Sequence, residues 1–571
     1  LVTDARADLR FRDNPLVTGA PFIRSYLGVP IRGEDGVLLG ALCAISPEPH
    51  AFCSDQIAPL AMLAELAEQS IALHVRTREL SLANAALKQT SQIFRQAERA
   101  TNVGSWRVDL ETQRLYWSDQ VYAITGLEPG RRYHYRFVAP DGSFSAVGRT
   151  RTLPEGRTDR FRMAVFSCSN LGFGHFNGYA HAAQADEFDL AVHLGDYLYE
   201  YDSANYPSEG QRLPGRDVEP VSEIVRLADY RLRYASYRRD PDLLRLHQLY
   251  PMVSVFDDHE SANDSWKGGA QNHSPETEGP WSARKRAALK ARSEWMPVSD
   301  DPWARYDIGD LATLFRLETR LTARDKPLDL ADITRGMSPD AAGSALRSLR
   351  EGAWADPART MMGAQQERWL ANGMAASVRS GRKWQVLAQQ VVMGGLSTPP
   401  DLAERVGSDA PDYVRRRLAA AVAAGRAGLP ANMDAWDGYP AARERLLRAA
   451  REANANLVTL TGDTHNAWAF QLAHGGEAAG VEFAGQSVTS PGFEGTLGKL
   501  PPTDLAASLV RHNPQLAWTD TSRRGYMAVE LTPQRAICEW RFTPSVRQRS
   551  AELAGTHRMS ATAGANRFDT T

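Results

Sequence analysis

From Arg160 onward the chain alternates short apolar runs with Arg/Ala-rich stretches of helical composition. The runs MAVFSC, LAVHLGD, MVSVFDDHE, LATLFRLETR, WQVLAQQVV and LVTLTGDTH are apolar for several residues and then turn polar or acidic. Strands covered by helices on their faces read this way, which predicts an α/β layered domain with its functional groups at the strand ends. Long helical segments such as 280–296 and 412–426 are expected to cover the sheet and stay out of the chemistry.

The first 157 residues follow a different pattern. Residues 26–45, SYLGVPIRGEDGVLLGALCAI with its flank, predict two strands around a polar turn at Gly33–Gly36. Asp55 opens a helical stretch to about Ala100, in which Leu66, Leu73, Leu80, Leu87 and Phe94 recur every seven residues. The companion positions Ser70, Thr77, Asn84 and Ser91 are polar, so two readings stand: a dimerising coiled coil that makes a homodimer, or one amphipathic helix packed on its own domain. Residues 104–130 have aromatic-rich strand character with a turn at Glu111–Gln113, and 126–156 read as two or three strands ending in a Pro/Gly linker. So few residues bury too little surface to fold alone, and packing against a neighbour is expected.

Composition narrows the class. The 571 residues are 43% hydrophobic and 23% charged, with a formal net charge of −2. That balance gives no support to a general nucleic-acid or membrane-surface binder. No apolar run approaches the roughly 20 residues that span a bilayer. The N-terminal residues LVTDARADLRF lack the pattern of a signal peptide, so the chain as written is expected in the cytoplasm. Four cysteines, Cys43, Cys53, Cys168 and Cys538, are too few to staple a protein of this length.

Five strand ends carry the candidate chemistry: Cys168 in FSCSN, Asp196 and Tyr199 in LGDYLYEYD, Asp257, Asp258, His259 and Glu260 in FDDHE, Gln389 and Gln390 in LAQQVV, and Asp463 and His465 in LTGDTHNAW. Singly, each has an inert reading: a GD turn, a small buried thiol, an N-capping aspartate, an Asx turn. Together they are more specific. Acids placed directly behind buried strands are costly to desolvate unless a cation sits among them, and a shared metal pair offsets that cost.

Two resemblances add to this. The opening strands, the helix and the 104–130 segment resemble the end of a GAF domain, a signalling helix and the start of a PAS domain. The divisions implied are 1–54 partial GAF-like, 55–100 helical linker and 101–130 partial PAS-like. The motifs FSCSN, GDYLYEY, YRLRYASYRRDPDLLRLHQLYPMVSVFDDHE, LTGDTHN and SVTSPGF resemble the alkaline phosphatase D family of calcineurin-like metallophosphoesterases. That family implies a remnant of a fibronectin-like module at 131–157 and a catalytic domain at 158–571, a four-layer αββα sandwich. It implies that Cys168, Tyr199 and His465 ligate one ion, that Asp196 bridges to a second, and that Asp258 and Asp463 complete the second position. Ferric iron (Fe3+) is implied at the first position. At the second, oxygen ligands favour a hard ion, and calcium (Ca2+) is the expectation.

The implied reaction is hydrolysis of a phosphate ester by in-line attack of a metal-bound hydroxide. His259 would stabilise the transition state or protonate the leaving oxygen; the alternative is a structural histidine bonded to a carbonyl. Asp257 and Glu260 are expected to orient ligands, and Asn263 and Arg320 are candidates to touch phosphate. Competing functions are a phosphodiesterase or phospholipase using the same site, with residues 540–571 as a lid, and a GAF/PAS ligand-binding signalling protein. Members of this phosphatase family are commonly exported, in tension with the expected cytoplasmic location.

Overall fold

The computed structural model describes residues 1–33, 36–101, 106–109, 114–117, 127–139, 141–406, 412–497 and 500–570, with side chains given outside 79–117 and 412–413. It divides into two compact units, Leu1–Gly126 and Leu127–Thr571.

In the first unit, β1 (Ser25–Arg32) and β2 (Leu38–Ser46) form an antiparallel pair, and a helix runs over Ser54–Thr101. Leu27 on β1 and Ala64 on the helix are both buried, and the Arg32 N–H donates to Glu68 Oε1 at 2.6 Å, so the first turns of the helix lie against the hairpin. Leu66 and Leu73, which open the seven-residue repeat, are 55% and 68% exposed. The side chains of Leu80, Leu87 and Phe94 lie outside the described residues. The antiparallel pair β3 (Trp106–Asp109) and β4 (Arg114–Trp117) falls in the PAS-like stretch, whose turn at Glu111–Gln113 also lies outside the described residues.

The second unit begins with the antiparallel pair β5 (Arg132–Tyr135) and β6 (Gly148–Arg151). This short pair is pinned from outside: Arg149 donates to the Leu249 carbonyl at 3.0 Å and pairs with Asp186, and Gln248 donates to the Val147 carbonyl at 2.7 Å.

Two mixed sheets follow. β7 (Phe161–Phe166), β8 (Leu190–His193), β9 (Met252–Ser254), β17 (Gly525–Leu531), β18 (Arg535–Phe542) and β19 (Gly555–Thr562) form a six-stranded sheet in the order β19-β18-β17-β7-β8-β9. β10 (Ala304–Ile308), β11 (Ala312–Arg316), β12 (Trp384–Ala388), β13 (Leu457–Thr461), β14 (Ala467–His474), β15 (Glu477–Ala484) and β16 (Leu516–Asp520) form a seven-stranded one, in the order β10-β11-β12-β13-β15-β14-β16. β7, β8 and β9 run parallel, as do β11, β12, β13 and β15.

Strand periodicity sorts the core. Met163 and Val165 of β7 join Leu314, Val386, Val458 and Phe483 from the other sheet in one buried cluster. Ala164 and Phe166, pointing the other way, join Tyr179, Leu243 and Ala288 from helices. On the seven-stranded sheet, Phe315, Leu387 and Leu457 pack with Leu370 and Leu446 of helices Gly363–Arg379 and Pro440–Glu452. Each sheet thus has one face on its partner sheet and one under helices, which is why its strands are apolar on both sides. The helix Trp281–Trp295 lies with the second of these clusters, and Leu418 and Val422 of Asp412–Arg426 with the third. Within the stretch expected as a lid, 540–571, β18 ends and β19 runs as the edge strand of the six-stranded sheet.

Trp540 is fully buried between the sheets and donates from Nε1 to the Ala484 carbonyl at 2.9 Å. Trp540→Ala is expected to lower stability by about 3–5 kcal/mol, read from urea unfolding. A loss below about 1 kcal/mol would contradict its place in the inter-sheet core.

Candidate active site

The carboxyl ends of β7, β8 and β13 put three turns side by side, and these carry Cys168, Asp196, Asp463 and His465. All four have left-handed backbones, with φ of 58°, 54°, 65° and 61°. Non-glycine residues avoid this region, and their concentration here marks turns held by their surroundings. The contacts that hold them are backbone ones: the Cys168 N–H donates to the Gly195 carbonyl at 3.2 Å, and the Ser169 N–H to the Asp196 carbonyl at 2.9 Å. Two glycines permit the approach. A Cβ on Gly195, at φ +102°, would stand 2.3 Å from the Asp257 Cβ, and one on Gly462 would stand 2.6 Å from the Ser167 Cβ. Both glycines are therefore required by close packing, and Gly195 also by its left-handed turn.

Three groups of donor atoms lie within 4.8 Å of one another: Cys168 with Asp196 and His465, Asp196 with Asp258 and His259, and Asp257 with Asp258 and Asp463. Asp196 belongs to two of them, the position a bridging carboxylate needs. Tyr199 joins the first group through its hydroxyl, 3.0 Å from Asp196 Oδ2 and 3.2 Å from His465 Nε2, while Ser490 Oγ donates to it at 2.7 Å. His465 Nδ1 lies 2.8 Å from the Pro491 carbonyl; donating there leaves the Nε2 lone pair facing Tyr199 and the thiol.

The electrostatics of the first group are those of anions deprived of water. Burial, reinforced by the neighbouring Asp196, pushes both the Cys168 thiol and the Tyr199 phenol well up, and burial raises Asp196 itself far above the carboxylate range. Burial holds His465 neutral by pulling it down to about 3. Asp196 Oδ1 is buried and has no hydrogen-bond partner. A cation placed there satisfies that oxygen and restores the ionised forms of the thiol, phenol and carboxylate, so the residues fit a metal.

The acids of the third group, with Asp434, surround a guanidinium. Arg320 is fully buried, and its Nε donates to Asp257 at 2.6 Å, its Nη1 to Asp434 at 2.5 Å and its Nη2 to Asp463 at 3.1 Å, with Asp258 at 3.6 Å. Burial works against the Asp258 charge, but Arg320 and His259 together hold it below the usual range. Asp257 is raised to about 7, chiefly by burial, with the Arg320 charge opposing. Arg320 thus sits among the carboxylates, in place of the expected free phosphate contact.

His259 sits against the Tyr199 ring, 4.2 Å between centroids, and its Nδ1 is 2.7 Å from Glu200 Oε2. The partner is a carboxylate, where the structural alternative required a carbonyl. Burial disfavours its charge, yet Asp196, Glu200 and Asp258 outweigh that and hold the imidazole well above its ordinary range. Glu200 also accepts from the Asn263 N–H at 2.7 Å and Asn272 Nδ2 at 3.1 Å; the His259 charge and hydrogen bond first, and these donors after it, hold its carboxyl below the usual range against full burial. Glu260 accepts from the backbone N–H of Asp196, Tyr197 and Asp257 at 2.7–3.1 Å and ties the β8 turn to the β9 turn.

The remaining sequence candidates fall elsewhere. Asn263 turns its amide to Gln271 at 3.0 Å. Gln389 accepts from Trp436 Nε1 and donates to the Val391 carbonyl, and Gln390 bonds Thr319 and the Phe256 carbonyl, so both amides brace strand ends. Glu200, Asp434, Ser490 and the Pro491 carbonyl were not among the sequence candidates. Glu200 directly follows Tyr199, and its adjacency to the metal motif was the available signal; Asp434 has no strand or motif around it to announce it.

Residues 163–540 match the family model for PhoD-like phosphatase, 67–154 that for the PhoD-like phosphatase N-terminal domain, and 1–71 that for the GAF domain. The N-terminal-domain match takes in the stretch 101–130, which was expected to be PAS-like. Alkaline phosphatase D of Bacillus subtilis (strain 168) is 31% identical over 449 residues, covering 75% of this chain and 67% of the relative. The solved structure of PhoD superposes with a TM-score of 0.62 at 27% identity, over 81% of this chain and 80% of that one. A 49-residue stretch, 9% of this chain and 8% of the relative, is 53% identical to the cyclic di-GMP phosphodiesterase PA2567 of Pseudomonas aeruginosa. With a metal-compatible cluster at the strand ends and a family match over two-thirds of its length, the chain belongs to the PhoD-like phosphatases.

Proposed function

We propose that the chain hydrolyses phosphate esters at a two-cation centre. Cys168, Tyr199 and His465 would hold Fe3+, Asp258 and Asp463 would hold Ca2+, and Asp196 would serve both. The single observation that carries this reading is Asp196, a member of two donor groups whose buried Oδ1 lacks a partner. The family relationship supplies the reaction class.

When bound, such a cation pair supplies Lewis acidity toward the phosphoryl oxygens and activates water at mild pH. The chain's own residues supply the rest. His465 is held in one tautomer by Pro491, and the Asp196 turn is fixed by Glu260, so the donor atoms do not reorganise during turnover. Arg320 keeps Asp257, Asp258 and Asp463 gathered around its guanidinium. His259 donates a proton from Nε2 to the leaving alcohol oxygen, with its Nδ1–H anchored on Glu200.

The deciding experiment is hydrolysis of a chromogenic phosphomonoester with and without a chelator, together with elemental analysis. Chelator-sensitive turnover by an iron- and calcium-containing protein is expected; turnover indifferent to chelation would refute the reading. Cys168→Ser is expected to lose iron and any thiolate or phenolate charge-transfer colour, and unchanged iron content would remove that ligand. His259→Ala is expected to lower kcat by about 10²–10⁴-fold with metal content retained. Glu200→Gln should lower kcat by roughly 10–100-fold through the same histidine. Full activity in both variants would return His259 to a structural role.

A further inference from the structure

Beside the cluster a cleft of about 470 Å3 opens, and it shares a wall with the candidate centre. Pro491, whose carbonyl fixes His465, lines it, as does Arg524, which donates to the His465 carbonyl. Thr543–Arg547, in the segment between β18 and β19, also lines it.

The cleft is cationic. Its lining holds Arg523, Arg524 and Arg547 against the single acid Glu494, which is committed to Arg524 at 2.6 Å. Arg547 is held by carbonyl oxygens alone, from Phe173 at 3.3 Å, Gln211 at 2.5 Å and Arg212 at 3.1 Å, and pairs with no carboxylate among the described residues. Carbonyls orient a guanidinium without cancelling its charge. Arg523 lies 3.7 Å over the Phe542 ring with one edge on Asp520, and 43% of its side chain stays exposed. Pre-oriented guanidiniums in a concave wall recognise phosphate through paired N–H donors.

We propose that this cleft binds a second phosphate group, so that the preferred ester carries one phosphate at the candidate metal centre and another on its alcohol. The proposal rests on the phosphoesterase reading above and names its substrate class. The same chemistry would hold released inorganic phosphate, and the test separates the two sources.

The test compares kcat/KM for alkanediol bisphosphates of increasing chain length with the matched monophosphates, in the metal-loaded protein and in Arg547→Gln and Arg523→Gln. The unchanged protein should prefer the bisphosphate at one favoured length, and each variant should lose roughly ten-fold of that preference, mainly in KM. Melting curves control for folding, and the Arg523 side chain is exposed enough to be replaced without disturbing the core. No preference at any length, or equal losses for both substrate classes in both variants, would overturn the proposal. So would variants that weaken only inhibition by inorganic phosphate, since the cleft would then be a product site. If no ester is hydrolysed, the hydrolysis reading fails, and calorimetry decides the cleft. An alkane bisphosphonate should bind about ten-fold tighter than the monophosphonate, and Arg547→Gln should abolish the difference; equal affinities would overturn the proposal.

Discussion

Anionic groups without water organise this structure. Cys168, Asp196, Tyr199, Asp258 and Asp463 all lie behind strands whose interiors are apolar, and burial pushes most of them toward their neutral forms. Isolated, such groups would be among the most expensive in the protein. The fold answers on one side with Arg320, which gathers three aspartates of the strand-end motifs and Asp434 around one guanidinium. On the other side it leaves Asp196 Oδ1 without any partner. The two halves differ in what answers the acids: one already holds a guanidinium among them, and the other leaves a buried carboxylate oxygen unpaired.

Backbone geometry serves that constraint. The left-handed turns at Cys168, Asp196, Asp463 and His465 aim side chains from both sheets at one point, and Gly195 and Gly462 let the loops come close enough to bond one another. Glu260 then ties two of the turns through three N–H groups. Local strain of this kind persists only where surrounding contacts over-determine it. Here the surrounding contacts are the loop-to-loop backbone hydrogen bonds and the Glu260 carboxylate.

Much of this was legible in the sequence because the metal motifs are local. An apolar run followed by GD, DDHE or GDTH places strand, turn and donor within ten residues, and periodicity alone then brings the strand ends together. The αβ layering was legible for the same reason. What was not legible is pairing across distance. Arg320 reads as a candidate phosphate contact after a strand, and only the folded chain shows it between Asp257 and Asp463. Asp434 and the Pro491 carbonyl carry no local signal at all. Gln389 and Gln390 stand at a strand end like the donors, yet Trp436 and nearby carbonyls consume their amides. The seven-residue repeat was visible, but the sequence gives no means of telling that Leu66 and Leu73 stand exposed.

The hairpin between β14 and β15 has a practical side. β14 leaves the GDTH turn and runs away from it, Gly475 and Gly476 reverse the chain at the far end of the sheet, and β15 returns to deliver the Ser487–Pro491 segment. The reversal therefore sits a full strand length from every donor atom, in a surface turn built of two glycines. It is a natural seat for an inserted peptide tag or a reporter dye, because lengthening it leaves the register of both strands, and so the position of Pro491, undisturbed.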